Sequence, residues 1–80
     1  MWAIEYKRDV RNYIYDSYPY TAAVWQAMKA LRHTADGLPP DNYTRIGPET
    51  YHWQVADHQV IYERNLAQRR LVFTVLKPNG

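Results

Sequence analysis

The chain contains no cysteine, so neither a disulfide nor a thiolate metal site can hold it together. That absence fits a reducing compartment. No stretch approaches the roughly 20 consecutive apolar residues that a membrane helix needs. The first twenty residues are charged and rich in tyrosine, unlike a secretory leader. The expectation is a soluble, cytoplasmic protein with no membrane partner. Strong charge of either sign is lacking too: the formal net charge is +2, with an isoelectric point near 9.0. Such a balance permits contact with nucleic acid without demanding it. There is no internal repeat, no low-complexity tract and no linker.

What is present is apolar and aromatic. Of the 80 residues 46% are hydrophobic, with eight tyrosines and three tryptophans, enough for one compact core. At this length only about 60 to 65% of the unfolded surface can be buried, so residues 1–80 read as a single domain.

The informative stretch is Tyr51 to Leu76. With Ala56-Asp57 as a hairpin tip, Tyr51, Trp53 and Val55 lie opposite Tyr62, Val60 and His58 on an apolar face. His52, Gln54, Gln59, Ile61 and Glu63 share the other, mostly polar face, as in a sheet covered on one side only. A second turn at Asn65 to Gln68 returns Arg69 to Leu76. Uninterrupted alternation then places Leu71, Phe73 and Val75 on the apolar face, Val72, Thr74 and Leu76 on the polar one, and Glu63 opposite Arg70.

Upstream, Trp2, Ile4 and Tyr6 alternate as a short strand. Val10, Tyr13, Ile14 and Ser17 follow at helical spacing, and the helix ends ahead of Pro19. Thr21 is the expected N-cap of a second helix reaching about His33, with Val24, Ala27, Met28 and Leu31 as its apolar stripe. Leu38 to Pro48, with three prolines, reads as an ordered loop or edge segment. The expected fold is α+β: two N-terminal helices packed on one face of a small, mostly antiparallel four-stranded sheet, in the order βααβββ.

This order, the length, and above all the run Val-Ala-Asp-His-Gln-Val-Ile-Tyr-Glu at residues 55–63 resemble the RelE/ParE superfamily of toxins from bacterial and archaeal type II toxin-antitoxin systems. The resemblance spans nearly the whole chain. It implies a small toxin neutralised by a small antitoxin. RelE-like members cut mRNA on the ribosome; ParE-like members poison gyrase. The arginine that ribosome-dependent members place just after the hairpin tip falls on Gln59 here. Their groups after the last strand fall on Pro78, Asn79 and Gly80, and only the neighbouring Lys77 is basic.

RNA cleavage by the 2′-hydroxyl needs a proton acceptor, a cation for the phosphate and a proton donor for the leaving group. His52, on the polar face, and Lys77 are the catalytic candidates; an ordinary surface histidine is the competing account of His52. His58 lies toward the core and reads as structural, and His33 sits where a helix C-terminus favours a cation. Arg45, Arg64, Arg69 and Arg70 are candidate phosphate contacts, with Tyr43 as a stacking partner for a base. Ordinary solvated charge competes for the arginines, and core packing accounts for Tyr51 and Trp53. No metal-ligand set stands at a familiar spacing, and no cofactor is expected.

Ile61, Val72 and Leu76 form an apolar strip with Gln59 and Thr74 on the uncovered face, a docking surface for an antitoxin. A second copy of the chain, forming a homodimer, or the chain's own last residues are the alternative covers. The readings from different classes are a ribosome-dependent endoribonuclease, a non-catalytic binding module on the same fold, and a gyrase-directed inhibitor.

The face assignment makes a direct prediction. Trp53→Ala should cost about 3 kcal/mol or more in thermal or denaturant unfolding, as for a buried aromatic. His52→Ala, on the other face, should leave folding nearly unchanged. The reverse ranking would overturn the assignment.

Overall fold

The computed structural model describes all 80 residues. In chain order the elements are β1 (Ala3–Tyr6), α1 (Arg8–Asp16), α2 (Ala22–Ala30), a 3-10 turn at Leu31–His33, β2 (Tyr43–Arg45), β3 (Thr50–Val55), β4 (His58–Asn65) and β5 (Arg70–Pro78). The strands form one sheet in the order β1-β5-β4-β3-β2. β1 runs parallel to β5, and the other three pairings are antiparallel. The fold is thus α+β, as expected, but the sheet has five strands rather than four. The extra strand is cut from the proline-rich loop: Tyr43, Thr44 and Arg45 pair with Trp53, His52 and Tyr51. Its three exposed residues offer no burial pattern from which it could be read.

Both helices cover one face. Val10 and Ile14 of α1, Val24 and Met28 of α2, and Leu31 pack with Tyr51, Trp53, Val60, Tyr62, Leu71 and Phe73 in a single core. Burying a side chain of this size removes about 1.5–3 kcal/mol of unfavourable hydration. Between the helices, Thr21 precedes α2 as expected, but its hydroxyl does not cap the helix. It is fully buried and donates to the Ile14 carbonyl at 2.7 Å, tying the end of α1 to the start of α2.

The β3–β4 register agrees with the sequence reading, from Thr50 opposite Glu63 to Val55 opposite His58. Ala56 and Asp57 both have positive φ (52° and 61°), the left-handed pair that a two-residue hairpin consistent with strand twist requires. The β4–β5 register does not run unbroken. A bulge sets Ile61 and Tyr62 opposite Val75 and Phe73, leaving Thr74 between them. Thr74 donates its hydroxyl to the Ile61 carbonyl at 3.2 Å. One extra residue reverses the facing of everything beyond it. Leu76 therefore belongs to the core, opposite Val60 and only 8% exposed, while Val75 joins the uncovered face. The Glu63–Arg70 pairing is corrected as well. Glu63 stands opposite Val72, Asn65 opposite Arg70, and Arg70 reaches Glu5 at 3.6 Å.

One glycine is required by the packing. Gly37 has φ +72°, and a Cβ there would lie 3.0 Å from the Trp2 ring and 3.1 Å from Leu71. Its carbonyl accepts the Tyr62 hydroxyl at 2.9 Å. Tyr62 is fully buried, and burial pushes its phenol far above the ordinary value of 10.0. Below pH 10 both folded and unfolded chains keep this proton, so its contribution to stability is complete. As pH rises further the unfolded chain releases the proton first, and stability falls. Tyr6 and Tyr13, also raised by burial, act in the same direction. Tyr62→Phe should lose about 1 kcal/mol at neutral pH and show a shallower decline above pH 10 in alkaline unfolding. An unchanged decline would mean that the phenol is not shielded.

Candidate functional site

The uncovered face of the sheet is built by the alternate residues of β3, β4 and β5. Gln54, Gln59 and Lys77 make one row across these strands, and His52, Ile61 and Val75 the next. Thr50, Glu63 and Val72 make the third. His52 is half-buried, and its Nε2 lies 3.2 Å from Gln59 Oε1. With the amide oxygen as acceptor, His52 carries its proton on Nε2 and keeps Nδ1 as an acceptor. Lys77 is exposed on the far side of Gln59. The two catalytic candidates therefore stand on either side of Gln59, at one end of this face. The apolar strip beside them consists of Ile61, Val72 and Val75; Leu76 is withdrawn from it by the bulge.

Of the candidate phosphate contacts only Arg70 shares this face, opposite Asn65 at the end away from His52. Arg64 is committed internally: its Nε donates to Glu49 Oε1 at 2.7 Å, and a second nitrogen donates to the Asp36 carbonyl at 2.7 Å. Its side chain is only 13% exposed, so it is a tie between loops rather than a free cation. The Arg64 hydrogen bond holds the Glu49 carboxyl below its ordinary value, and Glu49 raises Arg64 in return. Arg45 donates to the Gly47 carbonyl at 3.0 Å. Arg69 stacks over the Trp2 ring at 4.4 Å, and Arg70 pairs with Glu5. Tyr43 is partly exposed at the sheet edge, its ring edge-on to Tyr51 at 6.0 Å.

His58 is fully buried on the helix side. Its Nδ1 lies 2.8 Å from the Ala56 carbonyl, which can only accept, so Nδ1 carries the proton. Nε2 then accepts from the Tyr13 hydroxyl at 2.9 Å. The Tyr20 ring packs over the imidazole with centroids 5.0 Å apart. An imidazole so enclosed reaches no substrate; it joins the hairpin tip to α1. The sequence placed His58 toward the core, but Tyr13 lies 45 residues away, and no local signal names it as the partner.

A second feature escaped the sequence reading. An open cleft of about 850 Å³ lies where α2, the 40–44 segment and the β3–β4 turn meet. Its residues come from four separate parts of the chain, so no motif marks it. No group of three or more histidine, aspartate or glutamate side chains is placed to hold a metal ion, and no helix is long and apolar enough to cross a membrane.

Comparison with family models, with curated proteins and with solved structures finds no match.

Tyr13→Phe leaves the His58 Nε2 buried without a donor and should cost about 1–2 kcal/mol in urea unfolding. His58→Ala, which also opens a cavity, should cost about 3 kcal/mol. Losses below about 0.5 kcal/mol in both variants would show that water reaches the imidazole.

Proposed function

We propose that the chain is a RelE/ParE-like toxin, the toxic component of a type II toxin-antitoxin pair, and that its uncovered sheet face is both the working surface and the place where a small antitoxin docks. The observation that carries this reading is the gathering of His52, Gln59 and Lys77 at one end of that face, beside the strip of Ile61, Val72 and Val75. Gln59 stands at a position singled out by the family resemblance, Lys77 beside the others, and His52 at the position singled out by its chemistry. The order of strands and helices supports the same reading, because both helices lie in the one connection from β1 to β2 and pack on one side, which leaves the opposite face of the sheet free of helices.

On this reading the chemistry is ribosome-dependent cleavage of mRNA. His52 takes the 2′-hydroxyl proton as that oxygen bonds to phosphorus, with Gln59 fixing the orientation of its ring; the Lys77 ammonium stabilises charge on the phosphate, and the P–O5′ bond breaks with water protonating the departing oxygen, leaving a 2′,3′-cyclic phosphate. The mRNA is held chiefly by the ribosome, since the chain's own arginines are spread over several surfaces and engaged in internal contacts. A second reading, a binding module on the toxin fold without chemistry, is favoured by a specific observation: an uncharged amide occupies the position where the family's arginine would stand, and it is already bonded to His52.

Induced expression in a bacterial host, following growth and the integrity of translated messages, separates these readings. Growth arrest with cuts in translated mRNA, both abolished by His52→Ala, is the expected result. Arrest without cuts would transfer the activity to gyrase. Normal growth with a soluble, folded chain would leave the binding module.

A further inference from the structure

The cleft between α2 and the β3–β4 turn carries a chemistry of its own. Part of its wall is apolar, with Ala27, Ala30 and Leu31 on the helix side and Trp53 and Val55 on the sheet side, and His52, Gln54 and Thr44 continue the sheet side. Two carboxylates, Asp41 and Asp57, stand among its sixteen lining residues, and no lysine or arginine does. In a chain with ten basic and eight acidic residues, this is the opposite of the overall balance. Both aspartates are exposed, and the chain's two ion pairs, Arg64–Glu49 and Arg70–Glu5, use neither of them.

The carboxylates are carried on fixed backbone. Asp57 occupies the hairpin tip, and its carbonyl accepts the Asn79 amide at 2.9 Å. Asp41 precedes Asn42, whose carbonyl accepts the Gln54 amide at 3.0 Å, so this loop is pinned to the edge of β3. A volume of about 850 Å³ suits a few side chains rather than a single ion. An apolar wall beside two unpaired anions on fixed backbone matches the side chain of arginine or lysine, which buries its aliphatic stem and keeps its charged head at the rim. A phosphodiester would meet both carboxylates and is disfavoured there.

We propose that this cleft binds an arginine- or lysine-bearing segment of a partner protein, seating the aliphatic stems against Ala27, Ala30 and Val55 and the cationic heads against Asp41 and Asp57. The site meets the uncovered sheet face at His52 and Gln54, which line both, but its carboxylates and apolar wall lie outside that face, and its existence does not depend on toxicity.

The test is an NMR titration of the isotopically labelled full chain with acetyl-Arg-Leu-Arg-amide, acetyl-Glu-Leu-Glu-amide and a short single-stranded RNA. The arginine peptide should shift the amides of Asn42, Val55 and Asp57 and the Trp53 indole, saturably and less at higher salt. Asp41→Asn with Asp57→Asn should weaken that binding by about tenfold. Asparagine tolerates positive φ, so the turn survives; Asp41→Asn alone, away from the turn, should give a smaller loss in the same direction. Absence of shifts at roughly millimolar peptide, equal shifts with the acidic peptide or the RNA, or an affinity unchanged in both variants would overturn the proposal. Growth arrest and mRNA integrity, read separately, judge the toxin reading.

Discussion

A single row of aromatic rings crosses all five strands on the helix-covered face, and the rest of the molecule is fitted to it. Tyr6 of β1 stacks on Phe73 of β5, Phe73 meets Tyr62 of β4 at a tilt, Tyr62 stacks on Tyr51 of β3, and Tyr51 meets Tyr43 of β2 edge-on, with successive centroids 5.2 to 6.0 Å apart. Each contact contributes about 0.5–1.5 kcal/mol beyond the area it buries. More important than the sum is the registration. A slip of one residue in any strand would turn its ring to the opposite face, so the ladder fixes strand order and facing together. It also explains the fixtures around it. The Tyr62 hydroxyl finds its acceptor in Gly37, and Arg64 lies over the Tyr51 ring while holding Glu49. The hydroxyl of Tyr6 remains without a partner, the one buried side-chain polar atom left so. Its ring is positioned by Phe73 rather than by its own polar end.

The ladder also shows why the bulge at Thr74 exists. Phe73 must face the helices to meet Tyr62 and Tyr6, and Leu76 must face them to close the core over Val60. These two positions are three apart, an odd offset, and simple alternation cannot put both on one face. The extra residue resolves the conflict. From the sequence the two-residue period was legible up to Phe73, and there it stopped being a guide, because Val75 and Leu76 are equally apolar and either could have been the buried one. The hairpin tip, the β3–β4 register and the two helices were legible because their apolar residues recur at the period of the element that carries them. β2 was not, since all three of its residues are exposed and its pairing is decided by its neighbour.

The functional surfaces divide along the same line. The uncovered face could be assembled from the sequence because its residues alternate with those of the core, and once Tyr51, Trp53 and Val60 are placed, His52 and Gln59 follow. What could not be read was the engagement of the arginines. Arg64 looks like a surface cation in the sequence, yet it sits one residue before the end of β4 on the helix side, where Glu49 and the Asp36 carbonyl close around it. Arg69 is turned onto Trp2 by its own positive φ of 50° at the end of the β4–β5 turn. These are consequences of chain reversal, which brings together residues that no spacing rule links.

The two surfaces are chemically unlike, and that contrast narrows what can bind each. The end of the uncovered face near Gln59 offers a histidine, an amide and a free lysine, and suits a group that carries negative charge or generates it. The cleft offers an apolar wall and two carboxylates, and suits a cation on an aliphatic stem. Electrostatics therefore opposes the same ligand occupying both. The surfaces are nevertheless physically joined: His52 and Gln54 line both, and the β3–β4 hairpin contributes both of its strands to the face and its tip to the cleft. His58, held by Tyr13 and by the Ala56 carbonyl, anchors that hairpin to α1. A change in how the tip is held would thus reach both surfaces through one rigid element, which makes the buried imidazole the structural link between them although it touches neither ligand.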